Sequence, residues 1–143
     1  MRKWVAALAV VAISLAGCSN EDHWERDAKK EIDREIGSYP SLDEAYVVES
    51  SEYANFVAVC GRFTSKQSAS RYYDERRFVV LGSTYKNAPL SNVSVHIDDD
   101  SGRAVSPDVI ESGPKNQTEF ELIYWNRHCV DDDHPPVGTA FIY

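Results

Sequence analysis

Between Asn20 and Ile36 an apolar residue returns at every fourth position, at Trp24, Ala28, Ile32 and Ile36. That spacing draws one narrow stripe along an α-helix. Eleven of the fifteen residues from Glu21 to Glu35 are charged, so only the stripe can be buried. The pattern predicts an amphipathic helix over about residues 20–36. Glu21 and Asp22 suit its N-terminal dipole, and Asp22–Arg26 and Glu25–Lys29 stand acid-first at i,i+4. Gly37 is placed to cap the C-terminus and Pro40 to prevent continuation. Such a helix either lies on a sheet through Trp24, Ile32 and Ile36 or stands as a solvated stalk.

Beyond Pro40 the period shortens to that of strands. Ala45 to Glu49 reads as one strand, and "NFVAVCGRF" (Asn55 to Phe63) is apolar on both faces, as a central strand requires. A third starts at Arg77. In "NVSVHI" Val93, Val95 and Ile97 alternate with Ser94 and His96, which predicts one wet face. "TEFELIYW" places Phe120, Leu122 and Tyr124 together, and Val137 to Tyr143 reads as a short terminal strand. The fold expected is α+β, with the N-terminal helix against a small antiparallel sheet of about five or six strands. Residues 45–143 are the strand-rich part.

Upstream, Met1, Arg2 and Lys3 form a short positive region, and the twelve residues from Trp4 to Leu15 are apolar except for Ser14. As a helix they reach about 18 Å, well short of a hydrocarbon core roughly 30 Å thick. The segment reads as a secretory signal peptide. Its end, Leu15-Ala16-Gly17-Cys18, resembles the lipobox of bacterial lipoproteins. That resemblance implies cleavage after residue 17 and acylation of Cys18; the length of what remains predicts a single domain over 18–143. Membrane contact is then through the lipid on Cys18, several chains being needed for stable attachment. Ser19 after the cysteine implies, in a Gram-negative host, an outer-membrane address facing the periplasm.

The whole chain of 143 residues carries a net charge of −8, and residues 18–143 carry −10. This acidity argues against a nucleic-acid partner and suits a basic protein partner. With Cys18 lipidated, Cys60 and Cys129 remain as an even pair in an oxidising compartment. A disulfide is the simplest expectation; two buried thiols or a metal site are the alternatives.

"AVCGRFTSKQ", "RYYDERRF" and "WNRHC" together resemble a family of small uncharacterised bacterial secreted proteins and lipoproteins. In that family a Cys-Gly strand is followed by Tyr and Phe, and a Trp-rich segment ends in a second Cys. Cys60, Gly61, Lys66, Tyr72 or Tyr73, Phe78, Trp125 and Cys129 match this skeleton over Phe56 to Cys129. After Cys-Gly this chain carries Phe63, Thr64 and Gln67 where the family has Asn and Gly. The resemblance implies the Cys60–Cys129 pairing and no known activity.

Other candidate chemistry is sparse. His128, Cys129 and His134 flank Asp131 to Asp133 but lack zinc-ligand spacing. "HIDDDSG" lacks the first and twelfth ligands of a calcium loop and reads as a turn, with Gly102 at positive φ. Glu119 and Glu121 would share an outward strand face. A hydrolase would need a pocket joining His96 or His128 to a serine and a carboxylate. No cofactor is implied. The window from Arg62 to Arg77 is the sharpest asymmetry: it carries +3, leaving −13 on the rest of residues 18–143. Arg62, Lys66, Arg71, Tyr72, Tyr73, Arg76 and Arg77 then form a candidate recognition loop for an anionic polymer or envelope protein. Alternatively, its charges pair with acidic neighbours. The expected function is a non-catalytic, lipid-anchored binding or structural module, with an acidic inhibitor of a basic enzyme such as lysozyme as second reading.

Overall fold

The structure, a computed structural model, describes residues 20–37, 40–66, 73–85, 88–99 and 102–141. Leu15, Ala16, Gly17 and Cys18 lie outside the described residues, as do Arg71 and Tyr72 and the side chains of Lys66 and Tyr73.

Helix α1 (Asn20–Ile36) buries Trp24, Ala28 and Ile32. It ends as its sequence demands, with Gly37 at φ +65° and its N–H donated to Asp33 O at 2.9 Å. Strands β1 (Ser41–Glu49), β2 (Phe56–Lys66), β3 (Tyr73–Ser83) and β4 (Ser91–Ile97) form one antiparallel sheet in that order. The helix is laid on this sheet rather than held away as a stalk. Trp24, Ala28 and Ile32 pack with Val57, Val59, Phe63, Phe78 and Val80, and Val93, Val95 and Ile97 close the same cluster. Fully burying a side chain such as Ile32 contributes about 1.5–3 kcal/mol. Trp24 Nε1 donates to Ala88 O at 3.4 Å and Asp27 accepts from Leu90 N at 3.2 Å, tying the helix to the β3–β4 connection.

The opposite face of the sheet is covered by the C-terminal segment. Ala58, Cys60 and Val79 meet Phe120 and Cys129 there, with Tyr46, Leu81, Tyr124 and Trp125 around them. The Cys60–Cys129 disulfide links this layer to the central strand across 69 residues of sequence, with a Cα–Cα distance of 5.8 Å. Closing a loop of that length stabilises the fold by roughly 4 kcal/mol at the upper end of chain-entropy reasoning.

Two strand expectations are corrected. The described residues hold four strands rather than five or six. "TEFELIYW" is helical, with a π-helical turn over Glu121–Trp125 followed by a short α-turn over Asn126–His128. The cause is local: Thr118 Oγ1 accepts from Glu121 N at 3.2 Å while Glu121 Oε2 accepts from Thr118 N at 2.9 Å. This is the reciprocal T-x-x-E capping box, which starts a helix and satisfies its first donors. The segment from Val137 is extended but lies in no ladder among the described residues. Side chains hold much of its backbone instead. Asn126 takes Val137 N and donates to Val137 O, and Glu121 takes Thr139 N.

Candidate functional site

The described residues of the Arg62–Arg77 window, 62–66 and 73–77, are paired strand rather than loop. Cα register puts Arg62 opposite Arg77 and Phe63 opposite Arg76, so alternation places Arg62 and Arg76 on opposite faces of the hairpin. Arg62 and Arg76 therefore do not share one patch. Arg62 pairs with Glu75 at 3.1 Å, both side chains about half exposed; such a pair contributes about 0–1 kcal/mol. Beside it Thr64 Oγ1 donates to Asp43 at 3.0 Å. Arg76 is half-buried.

Arg77 is corrected from surface contact to internal anchor. Its side chain is 15% exposed and bridges Asp98 Oδ2 at 2.6 Å to Glu121 Oε1 at 2.8 Å. The guanidinium also sits 5.5 Å from the Phe120 ring centroid and 5.4 Å from that of Trp125, within cation–π range. Glu121 has no exposed surface. Burial pushes its carboxyl pKa up, but hydrogen bonds from Thr139, Thr118 and Arg77 outweigh it and hold the group below the ordinary range. Glu119, by contrast, is exposed, so the two glutamates share no face.

Among the described residues, two clefts open on the disulfide side. The first, of about 550 Å³, is lined in part by Glu49, Ser50, Glu52, Tyr53, Arg127 and His128. It gathers the residue types a hydrolase would need, yet Ser50 Oγ accepts from Glu52 N and Tyr53 N as a turn cap. His128 packs 6.0 Å from the Phe56 ring, and its pKa is lowered by burial and then by Arg127 and His96. His96 is likewise lowered by burial and stacks on Tyr124 at 3.9 Å.

The second cleft, of about 500 Å³, lies between a bulge in β1 and the acidic turn after Cys129. The bulge falls between Asp43 and Tyr46, where Glu44 adopts φ +54°. A glutamate held there costs on the order of 1–3 kcal/mol. Gly61 lies beneath it; a Cβ on that residue would stand 2.9 Å from Ala45 Cα. Across the cleft Asp131 Oδ1 accepts from Asp133 N, His134 N and His134 Nδ1, which fixes the turn. Burial opposes ionisation of Asp131, but these hydrogen bonds hold its carboxyl below the usual range. They set the His134 ring flat on Tyr46, centroids 3.6 Å apart and planes within 4°. Tyr46 donates to Cys129 O at 2.8 Å, and burial followed by Asp131 pushes its phenol up to about 12. Trp125 meets Tyr46 edge-on at 6.4 Å.

Sequence reasoning missed this cleft because its walls come from four distant stretches. The signal that was present is Gly61, whose lack of a side chain permits the bulge. With Cys129 in the disulfide, no thiolate remains there for a metal, and no metal-binding cluster occurs among the described residues. Comparison with models of protein families, with curated proteins and with solved structures finds no match to this chain.

Proposed function

We propose that this chain is a lipid-anchored, non-catalytic binding module of a bacterial envelope, held by Cys18 and presenting the β2–β3 hairpin to an anionic partner. The Cys60–Cys129 disulfide is the observation that supports the reading most strongly. Stable disulfides belong to oxidising compartments, which agrees with an exported chain. It also accounts for two of the three cysteines, leaving Cys18 at the end of the apolar segment as the odd one.

The anchor is tested with Cys18→Ala. The wild-type protein should fractionate with membranes and incorporate a clickable palmitate analogue; the variant should do neither. A variant that remains with membranes removes lipid attachment from the reading. The partner surface is tested by crosslinking in native membranes, comparing wild type with an Arg71→Glu/Arg76→Glu variant. The variant should lose its crosslinks while remaining folded by circular dichroism, and full retention excludes those arginines. Arg77 is left intact in this experiment because reversing it would face a new carboxylate toward Asp98 and Glu121.

A further inference from the structure

The cleft beside the β1 bulge combines three chemistries that no structural need of the fold explains together. Trp125 and the Tyr46–His134 stack line it with aromatic surface. Arg62 offers a guanidinium whose present partner, Glu75, is itself half exposed and so yields to a competing carboxylate at little cost. Glu44 and Asp133 bring acceptors to the same walls. A bulge re-aims a strand's side chains, and here it holds Glu44 in a conformation that disfavours non-glycine residues. A π-helical turn ends on Trp125, and such turns recur at functional sites.

We propose that this cleft binds a carboxylated sugar unit, of the uronic-acid type, in an envelope polymer; the inference rests on the binding-module reading above. The sugar carboxylate takes two parallel guanidinium N–H donors of Arg62, a geometry that lysine lacks. The apolar C–H face of the ring lies against the aromatic wall, and its hydroxyls donate to Glu44 and Asp133. A neutral sugar lacks the first contact and a simple carboxylate lacks the other two. The chemistry thus selects an acidic sugar over either alone.

The test uses the full lipidated chain in detergent, labelled with 5-fluorotryptophan and titrated with glucuronate, glucose or acetate. Glucuronate should shift the Trp125 fluorine signal saturably and leave Trp24, buried between helix and sheet on the opposite face, unmoved. Arg62→Gln should weaken this response by at least about tenfold, with an unchanged melting temperature. Arg62→Lys should fail to restore it. A silent Trp125, an equal response to acetate or glucose, or full binding by Arg62→Gln overturns the proposal. If membrane crosslinks persist while glucuronate leaves Trp125 silent, the cleft assignment falls and the binding-module reading stands. If Trp125 responds in a protein that forms no crosslinks, the cleft assignment stands and the wider reading falls.

Discussion

The two faces of the sheet are stabilised by different physics. On the helix side, Trp24, Ala28 and Ile32 meet Val57, Val59, Phe63, Phe78 and Val80 in a layer of apolar contact. On the other side one disulfide and one buried ionic network carry a layer with little regular hydrogen bonding. Apolar packing is distributed and forgiving, because volume-conserving exchanges there usually cost little. The opposite face depends on a few groups that fail abruptly when one partner is removed. The same economy of apolar contact leaves the clefts open on that side.

Arg77→Ala should break the comparison most severely. It would leave Glu121, with no exposed surface, and Asp98, 5% exposed, without their shared cation. Removing one partner from a buried pair costs about 3–5 kcal/mol, read as a fall in the urea midpoint. Arg77→Met should recover part of that loss through stacking on Phe120 and Trp125. A midpoint within error of wild type for Arg77→Ala would show that the network is solvated and structurally idle.

Removing the disulfide with Cys60→Ala/Cys129→Ala should cost about 2–4 kcal/mol. The loss should be uneven. Amide exchange should accelerate from Thr118 to Ala140 while the β2–β3 ladder beneath the helix stays protected. Uniform acceleration would mean that the two layers fold as one cooperative unit. Acid should expose the same asymmetry. His96 and His128 have folded pKa values below the ordinary 6.5, and Glu121 lies below 4.5. In each case the unfolded chain binds protons first, so the stability these groups contribute is present above the ordinary value. Stability should decline as pH falls through 6.5, and again below 4.5 toward the folded value of Glu121. Glu121→Gln should flatten only the lower limb in urea titrations; a parallel shift of both limbs would contradict the assignment.

The helix face was legible because periodicity reports burial directly. The every-fourth-residue stripe, Gly37 and the alternation in "NVSVHI" each carry their structural meaning within a few residues. The C-terminal layer was misread because Phe120, Leu122 and Tyr124 also satisfy strand alternation, and the competing signal was a single pair. Thr118 and Glu121 override that alternation by forming a capping box, which turns Phe120, Tyr124 and Trp125 onto the sheet. Arg77 defeated the reading for a related reason. Charge counting treats every arginine in a basic window alike, whereas Arg77, paired across the ladder with Arg62 on the same face, meets the buried carboxylates of β4 and the C-terminal layer while Arg62 stays half exposed. Long-range pairing of that kind leaves no mark at the arginine's own position. The cleft is illegible for the same reason, since Glu44, Arg62, Trp125 and His134 become neighbours only through the sheet register and the disulfide.

The smallest expected effect is the most discriminating, because its sign is opposite to the others. Glu44 sits at φ +54°, where a side chain is strained and glycine is not. Glu44→Gly should therefore stabilise the fold by on the order of 1 kcal/mol once strain relief is set against the greater freedom of glycine in the unfolded chain. The gain should appear as a melting temperature a few degrees higher. If the bulge exists to aim a carboxylate into the cleft, the stabilised variant should bind glucuronate more weakly, trading function for stability in the manner of a strained site. Glu44→Asn provides the control, since asparagine tolerates this region of backbone space while removing the charge. A stabilised Glu44→Gly protein with undiminished glucuronate binding would reduce the bulge to a device for shaping the edge strand. A destabilised one would show that the contacts of Glu44 outweigh its strain and that the local conformation is held by its side chain.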